Sequence, residues 1–163
     1  CDILFNHIAG IKETDNYIRS LGIKDFSISA TENNMHRDFQ LCYRNWTSPL
    51  DAAKLLEIFI TRPILADTYH SFIKRTMIEC ETGKDRLVKP LLGTNAVIGH
   101  KTGTGDRNEK GQLIGINDIG FVSLPDGQRY SIAVFIKDSG ESNEGTAKII
   151  ADISEAVYRY VAN

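Results

Sequence analysis

The chain of 163 residues has no excess of basic charge: 19 Lys and Arg stand against 21 Asp and Glu, a net charge of -2. Without a basic footprint, neither nucleic acid nor an anionic membrane surface is an expected partner. No apolar run approaches the ~20 residues of a membrane span, and no secretory leader opens the chain. That last absence excludes little, because residue 1 is Cys and the chain reads as processed or partial. Cysteine is scarce and odd in number. Cys1, Cys42 and Cys80 lack metal-ligand spacing, allow at most one internal disulfide, and read as small buried hydrophobes. No metal and no organic cofactor is expected. Repeats, low-complexity segments and linkers are also missing.

What is present suffices for one domain with a core, since 42% of the residues are hydrophobic. Ile3, Leu4, Ile8 and Ile11 are spaced as on a helix that Gly10 interrupts, and a second helix is expected from Thr14 to Leu21. Phe26 to Ser29 reads as extended. Residues 30–47 read as a polar loop without regular structure, a length that points to function. Ser48-Pro49-Leu50-Asp51 signals a helix start, by a serine cap, a first-turn proline and an acid near the positive end of the dipole. Another helix is expected from Asp67 to Cys80. The period then changes, predicting strands at Asn95–Thr104, Ile114–Leu124 and Arg129–Lys137, the last two joined by a turn at Pro125-Asp126-Gly127. A final helix is expected to turn Ile149, Ile150, Ile153, Val157 and Val161 to one side. Helices, an antiparallel meander and a helix packed on the sheet make an α+β architecture.

The most informative stretch is His100-Lys101-Thr102-Gly103-Thr104-Gly105, at the end of an apolar strand. Lysine supplies positive charge, threonine a hydroxyl, and glycine permits close backbone approach, a set suited to a substrate carboxylate. Two other motifs fail on inspection. His100 breaks the Gly-Lys-Thr contiguity of a phosphate loop. Ser71-Phe72-Ile73-Lys74 matches Ser-x-x-Lys, but Leu65, Tyr69, Phe72, Ile73 and Thr76 form the apolar face of its helix and leave Ser71 and Lys74 facing solvent. In the polar loop, Glu32 has Asn33, Asn34 and His36 nearby, groups able to hold a water against its carboxylate. A lone loop glutamate is usually only solvated, and a surface histidine is the default reading of His36. Arg86 follows a helix end and reads equally as a surface arginine. Asp118 sits in an apolar strand and must be either exposed or paired.

In order along the chain, Thr31-Glu32-Asn33-Asn34-Met35-His36, Asn45-Trp46-Thr47-Ser48-Pro49, Thr82-Gly83-x-x-Arg86 and Lys101-Thr102-Gly103-Thr104 resemble the class A serine β-lactamases, in particular the cephalosporinase and extended-spectrum subgroup. Cys1-Asp2-Ile3-Leu4 resembles the helix just after that family's Ser-Asp-Asn loop, so the resemblance spans the whole chain. It implies an antiparallel sheet flanked by helices, lacking its N-terminal part. Residues 1–92 would be a mostly helical region with an omega loop at 30–47, and residues 93–163 would carry three strands and the C-terminal helix. It further implies that Glu32 is the general base for the hydrolytic water and that Lys101 supplies potential near the substrate carboxylate. Thr102 and Thr104 would contact that carboxylate, with the Thr104 N–H forming half of an oxyanion hole. Arg86 would support the pocket, and Lys101 to Gly105, with Gly103, would pair with the substrate as an edge strand. The implied partners are β-lactam small molecules and the missing N-terminal part, in a monomer located in the periplasm or secreted.

The chain departs from the family pattern. Asn33 replaces the proline that usually follows the glutamate, so the Glu32-Asn33 bond is expected to be trans. His36 stands where the family often has a water-holding asparagine. Ala30 and Asn45 replace the ion pair that ties the loop's neck, which suggests a rebuilt mouth admitting bulky cephalosporins. The Ser-x-x-Lys helix would lie upstream of residue 1, so this chain alone is expected to be inactive. A penicillin-binding transpeptidase and a non-catalytic binding domain are the rival readings.

Overall fold

A computed structural model describes residues 2–8 and 10–163, and Cys1 lies outside the described residues. The chain divides into two compact units, Cys1–Leu55 and Leu56–Asn163.

The first unit opens with α1 (Asp2–His7) and α2 (Ile11–Ser20). Gly10, with φ 88°, sits between them and starts α2 in a backbone conformation that side-chain-bearing residues rarely adopt. β1 (Phe26–Ser27) and β2 (Trp46–Thr47) form a small antiparallel ribbon, Phe26 opposite Thr47 and Ser27 opposite Trp46. The intervening segment was expected to lack regular structure, and it does not. It holds α3 (Glu32–Arg37) and a short 3-10 helix, Phe39–Tyr43. The physical reason is capping rather than hydrophobic period. Thr31 Oγ1 accepts from Asn34 N–H at 3.2 Å and Asn34 Oδ1 accepts from Thr31 N–H at 3.4 Å, a reciprocal capping box. Asp38 likewise accepts from Gln40 N–H and starts the 3-10 turn.

α4 (Pro49–Thr61) begins as the Ser48-Pro49 signal predicts, with Ser48 Oγ accepting from Asp51 N–H at 3.1 Å. Asp51 is 4% exposed. Its carboxylate accepts from Asp25 N–H at 2.7 Å, Lys24 N–H at 2.8 Å and Lys54 Nζ at 3.0 Å. Those bonds, that from Asp25 foremost, pull its pKa down from 3.8 to about 2.

The second unit contains α5 (Asp67–Ile78), a 3-10 turn at Lys89–Leu91, β3 (Val97–Thr104), β4 (Ile116–Ser123), β5 (Arg129–Ile136) and α6 (Asn143–Val161). The sheet order is β3-β4-β5, antiparallel throughout. With the helices, this is the α+β architecture expected. The predicted turn joins β4 to β5, with Gly127 at φ 89° and its N–H donating to Leu124 O.

One sheet face packs on α6. Leu87, Leu113, Ile116, Ile132, Val134 and Ile150 form its core. The α6 stripe differs from the expected one. Ile149 and Ile153 are exposed, while Ala147, Ile150, Ala151 and Ser154 are buried, with Val157 and Val161 at its margin. Small residues at i, i+4 and i+7, with Ile150 between them, let the helix lie close on the sheet. The expected burial of the α5 apolar face is likewise corrected: Tyr69, Phe72 and Ile73 are 67%, 58% and 38% exposed, and α5 has no buried residue. Ser71 and Lys74 are also exposed, as expected. Cys42 and Cys80 are half-buried rather than buried.

Candidate active site

Among the described residues β3 pairs on one side only, with β4, so no other strand of the sheet covers the edge carrying Lys101 to Thr104. Side chains alternate along it. His100, Thr102 and Thr104 share the face that packs on α6, whereas Lys101 and Gly103 belong to the other. Lys101 is exposed, and its Nζ donates to Thr102 O. Gly105 admits a close neighbour, since a Cβ there would come within 2.5 Å of Ile114 Cγ1.

Arg86 is not the surface arginine that its position after a helix allowed. It is 8% exposed. Nη1 donates to Gly103 O at 3.1 Å and Asn117 O at 2.9 Å, and Nη2 donates to Thr104 Oγ1 at 2.6 Å. One planar fork therefore grips two carbonyls and a hydroxyl, which an ammonium could not match. By occupying a lone pair of Thr104 Oγ1, Arg86 leaves that hydroxyl's own proton available to an incoming acceptor. Gly83, at φ 66°, turns the chain back so that Thr82 Oγ1 lies 2.8 Å from Thr102 Oγ1. A Cβ on Gly83 would collide with Thr102 Cγ2. The structure thus brings Arg86, Thr102, Gly103 and Thr104 together and adds Thr82. Two hydroxyls held by neighbours, beside a buried cation at a strand edge, have the chemistry to receive a carboxylate.

Beneath this strand lies a pair that the residue pattern did not assemble. Asp118, whose place in an apolar strand allowed exposure or pairing, is paired. Its two carboxylate oxygens lie 3.0 and 3.1 Å from His100 Nδ1, and the two residues are 0% and 1% exposed. Asp118 also accepts from Leu87 N–H at 3.3 Å. The carboxylate acceptor sets the ring proton on Nδ1. His100 Nε2 is buried with no hydrogen-bond partner, as is Arg86 Nε.

Glu32 and His36 belong to the first unit. They lie one turn apart on α3, with His36 Nε2 3.7 Å from Glu32 Oε1, and both side chains are more than half exposed. The first two backbone amides of α3 donate to Asp2, Glu32 N–H to Oδ1 and Asn33 N–H to Oδ2, each at 2.9 Å. The Asn33 bond foremost holds the Asp2 carboxyl below its ordinary pKa. Among the described residues no peptide bond is cis, so Glu32-Asn33 is trans as expected. The neck of the segment is tied, by an amide in place of an ion pair. Asn45 Oδ1 accepts from Ser29 N–H at 2.8 Å and Ala30 N–H at 3.0 Å, and Asn45 Nδ2 donates to Ala30 O at 2.8 Å.

The chain is similar to known proteins along its whole length. The model of a family described as "Beta-lactamase enzyme family" matches residues 1–161. A β-lactamase of Bacteroides uniformis is 43% identical over 159 residues, covering 97% of this chain and 53% of that protein. The crystal structure of the TLA-1 extended-spectrum β-lactamase superposes with a TM-score of 0.94 at 42% identity, covering 100% of this chain and 59% of that one. A representative class A β-lactamase from Bacteroides cellulosilyticus superposes with a TM-score of 0.93 at 42% identity, covering 100% and 58%. The chain spans about half the length of the curated relatives it matches.

Proposed function

Because the chain belongs to the β-lactamase enzyme family, in its class A branch, we propose that it is the C-terminal portion of one serine β-lactamase domain that hydrolyses β-lactams through an acyl-enzyme. The observation that carries this reading is the Arg86 fork on Gly103 O, Asn117 O and Thr104 Oγ1. The fork sets a buried cation and the Thr104 hydroxyl beside the Thr102 hydroxyl, which Thr82 holds, and a β-lactam carboxylate would dock against them.

In the proposed reaction, a serine supplied from upstream of Cys1 attacks the lactam carbonyl. The C–N bond breaks, the nitrogen leaves with a proton, and an ester forms. Glu32 then takes a proton from water as the water's oxygen attacks the ester. Cleavage of the ester C–O bond, with that proton passed on to the serine oxygen, returns the serine and the Glu32 carboxylate and releases the ring-opened acid. Lys101 adds positive potential near the carboxylate and the proton-shuttling groups. Thr102 and Thr104 hold that carboxylate, and the Thr104 N–H contributes to the oxyanion hole. Gly103 and Gly105 keep the edge open for the acylamino side chain to pair along it. His36, beside Glu32, borders the hydrolytic water, and the segment tied by Asn45 acts as the omega loop. The closeness to an extended-spectrum enzyme supports bulky cephalosporins among the substrates. The family points to a monomer working in the periplasm or outside the cell.

Hydrolysis of benzylpenicillin and an oxyimino-cephalosporin by the full-length protein carrying this chain tests the reading. Many turnovers per enzyme are expected. One stoichiometric acylation without turnover would mark a transpeptidase, and no acylation a binding module.

A further inference from the structure

The His100–Asp118 pair takes no part in the proposed chemistry, yet it is among the most completely buried polar groups of the chain. Its position explains why. His100 immediately precedes Lys101 on β3. Asp118 lies opposite Thr102 on β4, and Asn117, the residue before it, gives its carbonyl to Arg86. Leu87, which donates to Asp118, directly follows Arg86. The same Leu87 accepts from Ser154 Oγ at 2.8 Å, so residues 86–87 are fixed from two sides. One carboxylate therefore ties together β3, β4 and the segment presenting Arg86. The surroundings make room for the imidazole: Gly120 lies opposite His100, and a Cβ there would stand 3.2 Å from His100 Cβ and 3.0 Å from Gly99 O.

We propose that His100 and Asp118 are a buried positioning pair that sets the placement of Arg86 against Thr102 and Thr104, and thereby how firmly the site grips a substrate carboxylate. The pair touches no substrate. It acts through the fork, whose reach to Thr104 depends on the spacing of three segments that Asp118 joins from the buried side. The inference rests on the proposed β-lactam reading for its substrate, and on geometry for its mechanism.

Asp118→Asn preserves shape and removes the charge, and His100→Phe fills the space without a ring nitrogen. Both are made in the full-length protein. Three quantities are read: amide hydrogen exchange, the thermal midpoint, and kcat and KM for a penicillin and for its carboxylate methyl ester. The expected result for Asp118→Asn is a tenfold or greater rise in KM for the free acid, a change under threefold for the ester, and faster exchange at Leu87 and Thr104. His100→Phe should lower the acid-to-ester preference in the same sense. Equal losses for acid and ester, with exchange at Leu87 and Thr104 unchanged, would reduce the pair to a packing element and overturn the proposal. Should the unaltered protein hydrolyse neither compound, the β-lactam reading fails. The exchange arm then decides alone, unchanged protection in Asp118→Asn counting against the pair and loss confined to those segments counting for it.

Discussion

Arg86 Nη2 donates to Thr104 Oγ1 at 2.6 Å, while the same guanidinium holds the carbonyls of Gly103 and Asn117 from within the fold. The cation is at once part of the proposed binding site and a brace of the β3–β4 pairing. Arg86→Ala leaves two carbonyls and a hydroxyl without their donor, and should cost about 2–3 kcal/mol of stability. Arg86→Lys keeps the charge without the fork and should recover less than half of that loss. Urea denaturation of the full-length protein checks both, and KM for carboxylate-bearing substrates should rise in each.

Asn45 replaces an ion pair with three hydrogen bonds to the backbone of Ser29 and Ala30. Asn45→Ala should destabilise by about 1–2 kcal/mol and speed amide exchange at Ser29 and Ala30. Asn45→Asp keeps the acceptor for both amides and loses the donor to Ala30 O and Met35 Sδ, so its effect should be smaller. Exchange rates at those two amides distinguish the variants.

Asp51 predicts a pH dependence. Its pKa is lowered, so the stability that it contributes is fully present above its unfolded value near 3.8 and is lost as pH falls toward about 2. Asp51→Asn should therefore flatten the acid limb of the stability curve between about pH 4 and pH 2, and leave the slope near neutral pH unchanged. Chemical denaturation across that range measures it.

What the residues alone conveyed depended on whether the cause was local. The three strands and their turn were legible because alternation and Pro125-Asp126-Gly127 act over a few residues. α3 was legible in principle, since Thr31 and Asn34 form a local cap, but its six residues carry no apolar period to flag a helix. Arg86 was ambiguous because its partners lie 17 to 31 residues away, across a sheet whose register the pattern leaves open. Asp118 signalled that it needed a partner, and only the pairing of β3 with β4 shows that the partner is His100. The α6 stripe was misjudged in part: Ile150 is buried as expected, but the equally large Ile149 and Ile153 do not approach the sheet. Close packing selected Ala147, Ala151 and Ser154 instead. For Glu32 and His36, adjacency follows from helical spacing, whereas their roles rest on the family resemblance.

The role proposed for Glu32 is to drive deacylation of a serine ester. Intact-mass measurement of the full-length protein bearing Glu32→Ala, mixed with benzylpenicillin, tests it most directly. The expected result is a long-lived adduct of one ring-opened β-lactam per chain, with turnover reduced by at least a hundredfold. Unchanged turnover with no adduct would contradict it.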